Sequence, residues 1–155
     1  MAKKVTVTLI LILLAAAVYG RGQIAAELEG LLEQKEVSCG QAASFALAMT
    51  SDDEPGSPAM KSDAAFALVM ERGWLPASSE SGGPITMSGL SLLVMKAFDM
   101  KGGLMYRWTE NPRYAYRELK YKGIIEGRAY SGRKVSGEQF LQIMGNVMSY
   151  IEEAQ

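Results

Sequence analysis

The sequence predicts a mostly α-helical fold made of repeated helix-loop-helix units, and three observations support this prediction. Apolar residues recur at helical spacing in several short segments of the chain. Serine, threonine or asparagine precedes most of these segments and glycine follows two of them, as is typical of helix starts and ends. Two parts of the chain also match one another without gaps, which is typical of a repeat architecture.

Residues 1–20 are predicted to form a secretory signal peptide ahead of the folded domain, residues 21–155. Lys3 and Lys4 precede an apolar run over residues 5–14, and small residues then offer cleavage sites. An uncleaved membrane anchor is the alternative, but the run is shorter than the about 20 apolar residues that cross a bilayer. We therefore expect export to the periplasm or cell surface of a bacterium, with membrane contact only through an uncleaved signal segment.

The first helical unit is predicted between residues 23 and 50. Residues 23–34 are amphipathic, although Gly30 weakens them as a helix. Ser38 and Gln41 then have the spacing of a capping box, so a helix should follow as far as Met49.

A loop and a second helix are expected next. Residues 50–58 are acidic and contain two prolines and a glycine, which predicts a loop. Residues 61–72 have inward-facing apolar positions at helical spacing, with Ser62 as the expected cap. Gly73 is expected to end this helix in a left-handed conformation.

The central helix is predicted to begin at Ile85 and Thr86 and to run to Phe98. It is apolar nearly all round, so we expect it to be the most buried helix. Residues 99–108 contain two adjacent glycines and are predicted to be a connector that is partly extended.

The next helix has the clearest start and stop signals of the chain. Asn111 suits the cap and Pro112 the first helical position, where its missing N–H costs nothing. Gly123 is the expected stop, and Ile124 and Ile125 follow as buried apolar residues.

The chain is predicted to end in a loop and a long helix. The loop covers residues 128–134. Ser136 and Gln139 form a second capping-box pattern, which predicts a helix from Ser136 to about Glu153.

The internal repeat becomes visible when Gly73 is placed over Gly123, an offset of 50 residues. The two parts of the chain then show the same order of features without gaps. This order is a helix, a glycine stop, an apolar pair, a glycine-bearing loop and a capped helix. Matched pairs include Ala65 with Ala115, Phe66 with Tyr116, Val69 with Leu119, Thr86 with Ser136 and Leu90 with Phe140. Two clear repeats, residues 61–99 and 111–150, and a degenerate one over residues 23–50 are predicted.

These motifs resemble the S-layer homology (SLH) family. Gly123-Ile124-Ile125-Glu126-Gly127 is similar to the run that ends the family's first helix, and Ile85-Thr86 and residues 135–140 are similar to the opening of its second helix. The resemblance implies a helical bundle of three repeats around a pseudo-threefold axis. It also implies attachment of an exported protein to cell-wall polysaccharide. The structural repeat positions are Gly73, Gly123, Gly127, Thr86 and Ser136.

One departure bears on the ligand. The family's second motif carries an arginine that helps to hold an acidic glycan, but Cys39, Met87 and Gly137 occupy that position here. The fold is therefore better supported than the family's mode of glycan binding. Thr86 and Ser136 remain because they cap helices.

Basic and aromatic residues are concentrated between residues 101 and 134. This stretch contains nine lysines and arginines but only three glutamates. Arginines bind oxyanions in a fork and aromatic rings stack on sugars, so this stretch suits an acidic ligand. The alternative is a solvated face, with Tyr116 and either Tyr114 or Tyr121 filling the core. The candidate ligand-binding residues are Arg107, Trp108, Arg113, Tyr114, Arg117, Lys120, Arg128 and Arg133.

The composition argues against catalytic and metal sites. The chain has no histidine, which removes the usual general base and zinc ligand. Residues 52–54 lack the spacing of a calcium loop. Glu118 and Glu126 lie among basic residues, which disfavours a glycosidase pair because one of its two carboxyl groups must stay protonated. Cys39, the only cysteine, is expected to be buried, with an intermolecular disulfide as the alternative.

The sequence therefore predicts a non-catalytic envelope module without a cofactor or metal. Its expected ligand is an acidic component such as cell-wall polysaccharide or peptidoglycan. The alternative is an adaptor that binds an envelope protein in an exported assembly. Basic aromatic surfaces also suit nucleic acid, but the signal peptide argues against it.

Overall fold

The computed structural model describes residues 26, 28–50 and 60–154, and these confirm a mostly helical fold. A helical turn over residues 28–32 precedes six helices. The helices are α1 (Cys39–Thr50), α2 (Ser62–Glu71), α3 (Met87–Ala97), α4 (Leu104–Thr109), α5 (Pro112–Tyr121) and α6 (Gly137–Glu153). Pairing between extended segments is limited in these residues to two isolated antiparallel bridges, Ser38 with Pro84 and Thr86 with Lys134.

The predicted capping boxes are confirmed at the starts of α1 and α6. The Gln41 backbone N–H donates to Ser38 Oγ over 3.2 Å, and the Ser38 N–H donates to Gln41 Oε1 over 3.0 Å. Ser136 and Gln139 exchange the same two bonds. Each box satisfies backbone donors that a helix start leaves without an intrahelical partner.

The predicted glycine stops are also confirmed. Gly73 has φ +67° and Gly123 has φ +73°. The residue after each glycine donates to the carbonyl five residues before it, Trp74 to Val69 and Ile124 to Leu119, both over 2.9 Å. This is the Schellman arrangement, and it turns the next apolar residue back towards the helix.

Two expectations were wrong. Ser62 is the first helical residue of α2, and the cap position belongs to Lys61, which makes no side-chain capping bond. Residues 104–109 form helix α4 and are not extended. Tyr106 lies in the core and α4 packs against α5, so a tertiary contact stabilises a helix too short to be stable alone.

Part of the predicted first unit lies outside the described residues. This applies to residues 23–25 and 27 of the amphipathic segment. Residues 51–58 of the acidic loop predicted after this unit also lie outside them. The signal segment also lies outside them. No helix within the described ranges is long and apolar enough to cross a bilayer.

Helix α3 is the central helix, as predicted. It packs against α1 and α5, while α2 packs against α1. Its buried side chains include Leu90, Leu93 and Val94. Helix α6 joins the core where the ring of Phe140 meets that of Phe45 edge-on, with the ring centroids 5.2 Å apart.

The segments that precede α1, α3 and α6 meet in a closed ring of backbone hydrogen bonds. Val37 N–H donates to the Val135 carbonyl over 2.9 Å, Ile85 to Val37 over 2.8 Å, and Val135 to Ile85 over 3.0 Å. All three residues are buried. Three more backbone hydrogen bonds beside the ring join the same three segments pairwise. The N–H groups of Cys39, Met87 and Gly137 donate to the carbonyls of Gly83, Arg133 and Gln34, respectively. The starts of three helices distant in sequence are thus fixed at one place.

Candidate anion-binding surface

Helix α5 presents one face to the core and a basic face to solvent. Ala115, Tyr116 and Leu119 are buried. Arg113, Arg117 and Lys120, which follow one another at spacings of four and three residues, are exposed. Such spacing puts side chains on one helical stripe, so the structure aligns these three candidate residues.

The start of α5 is fixed by its own sequence. Asn111 accepts a hydrogen bond from the Arg113 N–H over 2.9 Å, and Pro112 lies at the first helical position. The basic stripe therefore begins in the first turn of a well-capped helix.

The loop after α5 is tied back onto the helix. Lys120 Nζ donates to the Gly127 carbonyl over 3.0 Å and lies 6.0 Å from the centre of the Tyr116 ring. The Tyr116 hydroxyl donates to the Ala129 carbonyl. Arg128 lies between these two anchor points and is exposed, so it is held beside the second half of α5.

Arg133 occupies a different part of the same loop. Its N–H donates to the Tyr130 carbonyl, and its own carbonyl accepts from Met87 N–H at the start of α3. A turn therefore separates Arg133 from Arg128, although both are exposed.

Arg107 and Trp108 are exposed on α4, and Tyr114 is half-buried on α5. A cleft of about 280 Å³ lies between these two helices. It is lined by Leu104, Met105, Tyr114, Arg117, Glu118 and Tyr121. Only Tyr114 and Arg117 were among the predicted binding residues. The other wall was missed because residues 99–108 were expected to be a connector, although Tyr114, Arg117, Glu118 and Tyr121 follow a helical spacing that the sequence displays.

The basic side chains have few acidic neighbours. In the described part of the chain, ion pairs join Lys96 to Glu110 and Lys134 to Glu36, and none involves the arginines of α5 or of the following loop. Their charge is therefore available to a ligand.

Tyr106 and Cys39 both lie in the core, and both have raised pKa values. Burial raises the pKa of Tyr106 to about 12, and the negative charges of Glu110 and Asp99 add to this shift. Burial also raises the pKa of the Cys39 thiol, against hydrogen bonds from Ser79 and the Glu80 backbone. A thiol that is buried and harder to ionise is unreactive, and Cys39 is the buried cysteine that the sequence predicted.

The positions at which the SLH pattern places arginine are Cys39, Met87 and Gly137, and all three are buried. A Cβ at Gly137 would overlap the backbone carbonyl of Leu31. These three positions therefore offer no exposed side chain to a ligand.

Glu118 and Glu126, the two glutamates considered as a glycosidase pair, differ in position and exposure. Glu118 is half-buried in the cleft between α4 and α5, and Glu126 is exposed in the loop after α5. Among the described residues, no group of three or more cysteine or acidic side chains is arranged to hold a metal ion.

Comparisons of the chain with protein-family models, with curated proteins and with solved structures find no match.

Proposed function

We propose that this protein is a non-catalytic, exported module that binds an acidic cell-wall component, a polysaccharide or peptidoglycan. The binding surface is the arginine face, defined here as Arg113, Arg117, Lys120, Arg128 and Arg133. The observation that carries the proposal is the exposure of these five basic residues on α5 and the loop that follows it.

The proposed scaffold is a divergent SLH-like bundle of three repeats around a pseudo-threefold axis. The closed ring of Val37, Ile85 and Val135 supports it, because these residues precede the second helix of each proposed repeat. The side chains of Ser38, Thr86 and Ser136, one residue further on, each accept a hydrogen bond from a backbone N–H three residues later. The same capping bond at the same position of each proposed repeat favours an internal repeat over a chance similarity.

The arginine face does not use the side chains at the family's usual arginine positions, although Arg133 lies next to one of them, where its carbonyl accepts a hydrogen bond from Met87 N–H. The buried state of Cys39, Met87 and Gly137 leaves no charged group there. In this proposal, binding has moved to the first helix and the loop of the third repeat. Guanidinium groups pair with carboxylates or phosphates in a planar fork, and Tyr114 beside them can stack on a sugar ring.

Sedimentation with purified wall sacculi tests the proposal. The protein should pellet with sacculi at low salt and be released at high salt, because exposed charges are screened within about 10 Å at 0.1 M salt. The double variant Arg113→Gln/Arg117→Gln should lose most of this binding. Lys35→Gln/Lys61→Gln removes the same charge from exposed positions outside the arginine face, and it should bind as the unaltered protein does. Failure to pellet at low salt would refute the proposal.

A second function is favoured by Tyr130, which is exposed in the loop between Arg128 and Arg133. Tyrosine and arginine are enriched among residues that dominate protein interfaces. In this alternative the protein is an adaptor in an exported assembly. Cross-linking in the native envelope should then capture one stoichiometric protein partner, dependent on Tyr130, and the protein should not bind sacculi.

A further inference from the structure

Helix α4 exposes three large apolar side chains on one face. Leu104, Met105 and Trp108 have 65%, 54% and 81% of their surfaces exposed. At about 100° per residue, these positions span an arc of about 100°. Tyr106 lies on the opposite side and is 6% exposed. We call the three exposed residues the α4 apolar face.

The orientation of this face is fixed by close backbone packing. A Cβ at Gly102 would overlap the Tyr106 ring, and a Cβ at Gly103 would meet the Glu118 carboxylate at 2.8 Å. The chain therefore enters α4 pressed against the Tyr106 ring, which a side chain at Gly102 would displace, whereas the Glu118 carboxylate ends a flexible side chain and could move aside. Tyr106 anchors the inner side of the helix, so the apolar face is held outwards.

The apolar surface continues onto α5. Tyr121 is 90% exposed and lines the cleft together with Leu104 and Met105. Leu104, Met105 and Tyr121 therefore adjoin one another, and several large apolar side chains exposed together are more typical of an interaction site than single ones.

Basic groups outnumber acidic groups in the stretch of chain that carries this apolar surface, although Glu118 lines the cleft. From residue 101 to residue 122 there are six lysines and arginines and two glutamates, an excess of four positive charges in a chain whose net charge is −1. One of the two glutamates, Glu110, is paired with Lys96. Lys101 and Arg107 are exposed beside the apolar face.

We propose that the α4 apolar face inserts into the surface of an anionic lipid bilayer, with Lys101 and Arg107 at the headgroups. Apolar side chains with tryptophan or tyrosine, next to lysine and arginine, are the composition of interfacial membrane-binding helices. Long basic side chains can cover the apolar boundary while their charges stay among lipid phosphates. The α4 apolar face contains none of the arginine-face residues, although Arg117 of the arginine face lines the cleft beside it.

Other occupants explain the patch less well. A sugar could stack on Trp108 or Tyr121, but Leu104 and Met105 offer neither a flat ring nor a hydrogen bond. A stable protein interface uses about 20–30 residues on each side. The patch offers four large apolar residues on one edge of the molecule, which suits shallow insertion into lipid.

Tryptophan fluorescence of the full chain tests the proposal locally. Trp74→Phe leaves Trp108 as the sole tryptophan, so the signal reports α4 whatever the N-terminal segment does. Emission should shift to the blue, and acrylamide quenching should fall, with phosphatidylglycerol–phosphatidylcholine vesicles but not with phosphatidylcholine alone. High salt should reverse both effects. No shift, or an equal shift on neutral vesicles, would overturn the proposal.

Variants in this single-tryptophan background separate the apolar and charged contributions. Leu104→Ser/Met105→Ser should weaken partitioning into the anionic vesicles by on the order of tenfold or more. Leu32→Ser/Met60→Ser alters two other exposed apolar residues and is the matched control. Lys101→Gln/Arg107→Gln should weaken partitioning by roughly tenfold to thirtyfold. If the control pair lost as much binding as the α4 pair, insertion through α4 would be refuted.

Discussion

At the residue scale, a residue with left-handed backbone conformation follows each of the helices α2, α3 and α5. Gly73 and Gly123 are left-handed, and so is Asp99 after α3, with φ +47°. Met100 then donates to the Met95 carbonyl over 2.9 Å, the same bond that follows the two glycines. Glycine predicts such an end because it alone adopts this conformation without cost, whereas aspartate gives no such indication.

Gly123→Val should destabilise the protein through its backbone. No atom lies within 4 Å of a Cβ built at Gly123, so the cost comes from the left-handed conformation and not from a clash. We expect a loss of about 2 kcal/mol and a melting temperature lowered by several degrees. Gly145→Ala, at an exposed position inside α6 with equally open space, should instead stabilise the protein by about 1 kcal/mol. An unchanged melting temperature for Gly123→Val would contradict the role of the glycine stop.

Because of Tyr106, the free energy of unfolding should decrease as the pH rises above 10. Its pKa is raised to about 12 in the folded protein, from 10.0 as the ordinary value. The unfolded chain therefore loses this proton first, and the contribution of Tyr106, complete below pH 10, is lost as pH rises towards 12. Tyr106→Phe should flatten the fall in unfolding free energy over this range. Tyr121→Phe, at an exposed position, should leave it as steep as in the unaltered protein.

At the element scale, side-chain caps define where helices begin. Ser136 caps α6 through both bonds of a capping box, and this was predictable because all the groups involved lie within four residues. Helix α4 has no side-chain cap and only six residues, so its local sequence carries no clear signal of a helix. It is stabilised by the burial of Tyr106 and by packing against α5, and neither contact is visible in the sequence of α4 alone.

Ser136→Ala should cost about 1 kcal/mol, because it leaves the Gln139 N–H without its side-chain acceptor. For a domain of this size we expect a melting temperature lower by roughly 2–4 °C. Ser149→Ala, at an exposed position within α6, is the matched control and should change it little. Equal effects of the two substitutions would show that the cap contributes nothing.

At the scale of the whole molecule, the backbone ring joins segments from three parts of the chain. Each of Val37, Ile85 and Val135 gives one hydrogen bond and receives one. Loss of any one segment leaves buried backbone groups of the other two without partners, which is costly. The ring should therefore make folding cooperative between the two ends of the chain.

Gly137→Ala tests this coupling. The added methyl group would overlap the Leu31 carbonyl, next to the bond from Gly137 N–H to Gln34. We expect a loss of about 2–3 kcal/mol or more. Hydrogen exchange should become faster not only at Val135 but also at Val37 and Ile85. Faster exchange confined to residues near 137 would contradict the coupling.

The sequence by itself determined where α1, α3, α5 and α6 lie and how two helices end, because caps, glycine stops and apolar spacing act within one or two turns. It also revealed which residues of α5 are basic. Only the tertiary structure decided that α4 is a helix, that Arg128 lies beside α5 and Arg133 beyond a turn, and that Val37, Ile85 and Val135 close a ring. These features depend on contacts between different elements of the fold, 7 and 13 residues apart at the loop that holds Arg128 and much further apart in the ring. The pattern of side chains within one helix does not reveal the free energy of such contacts.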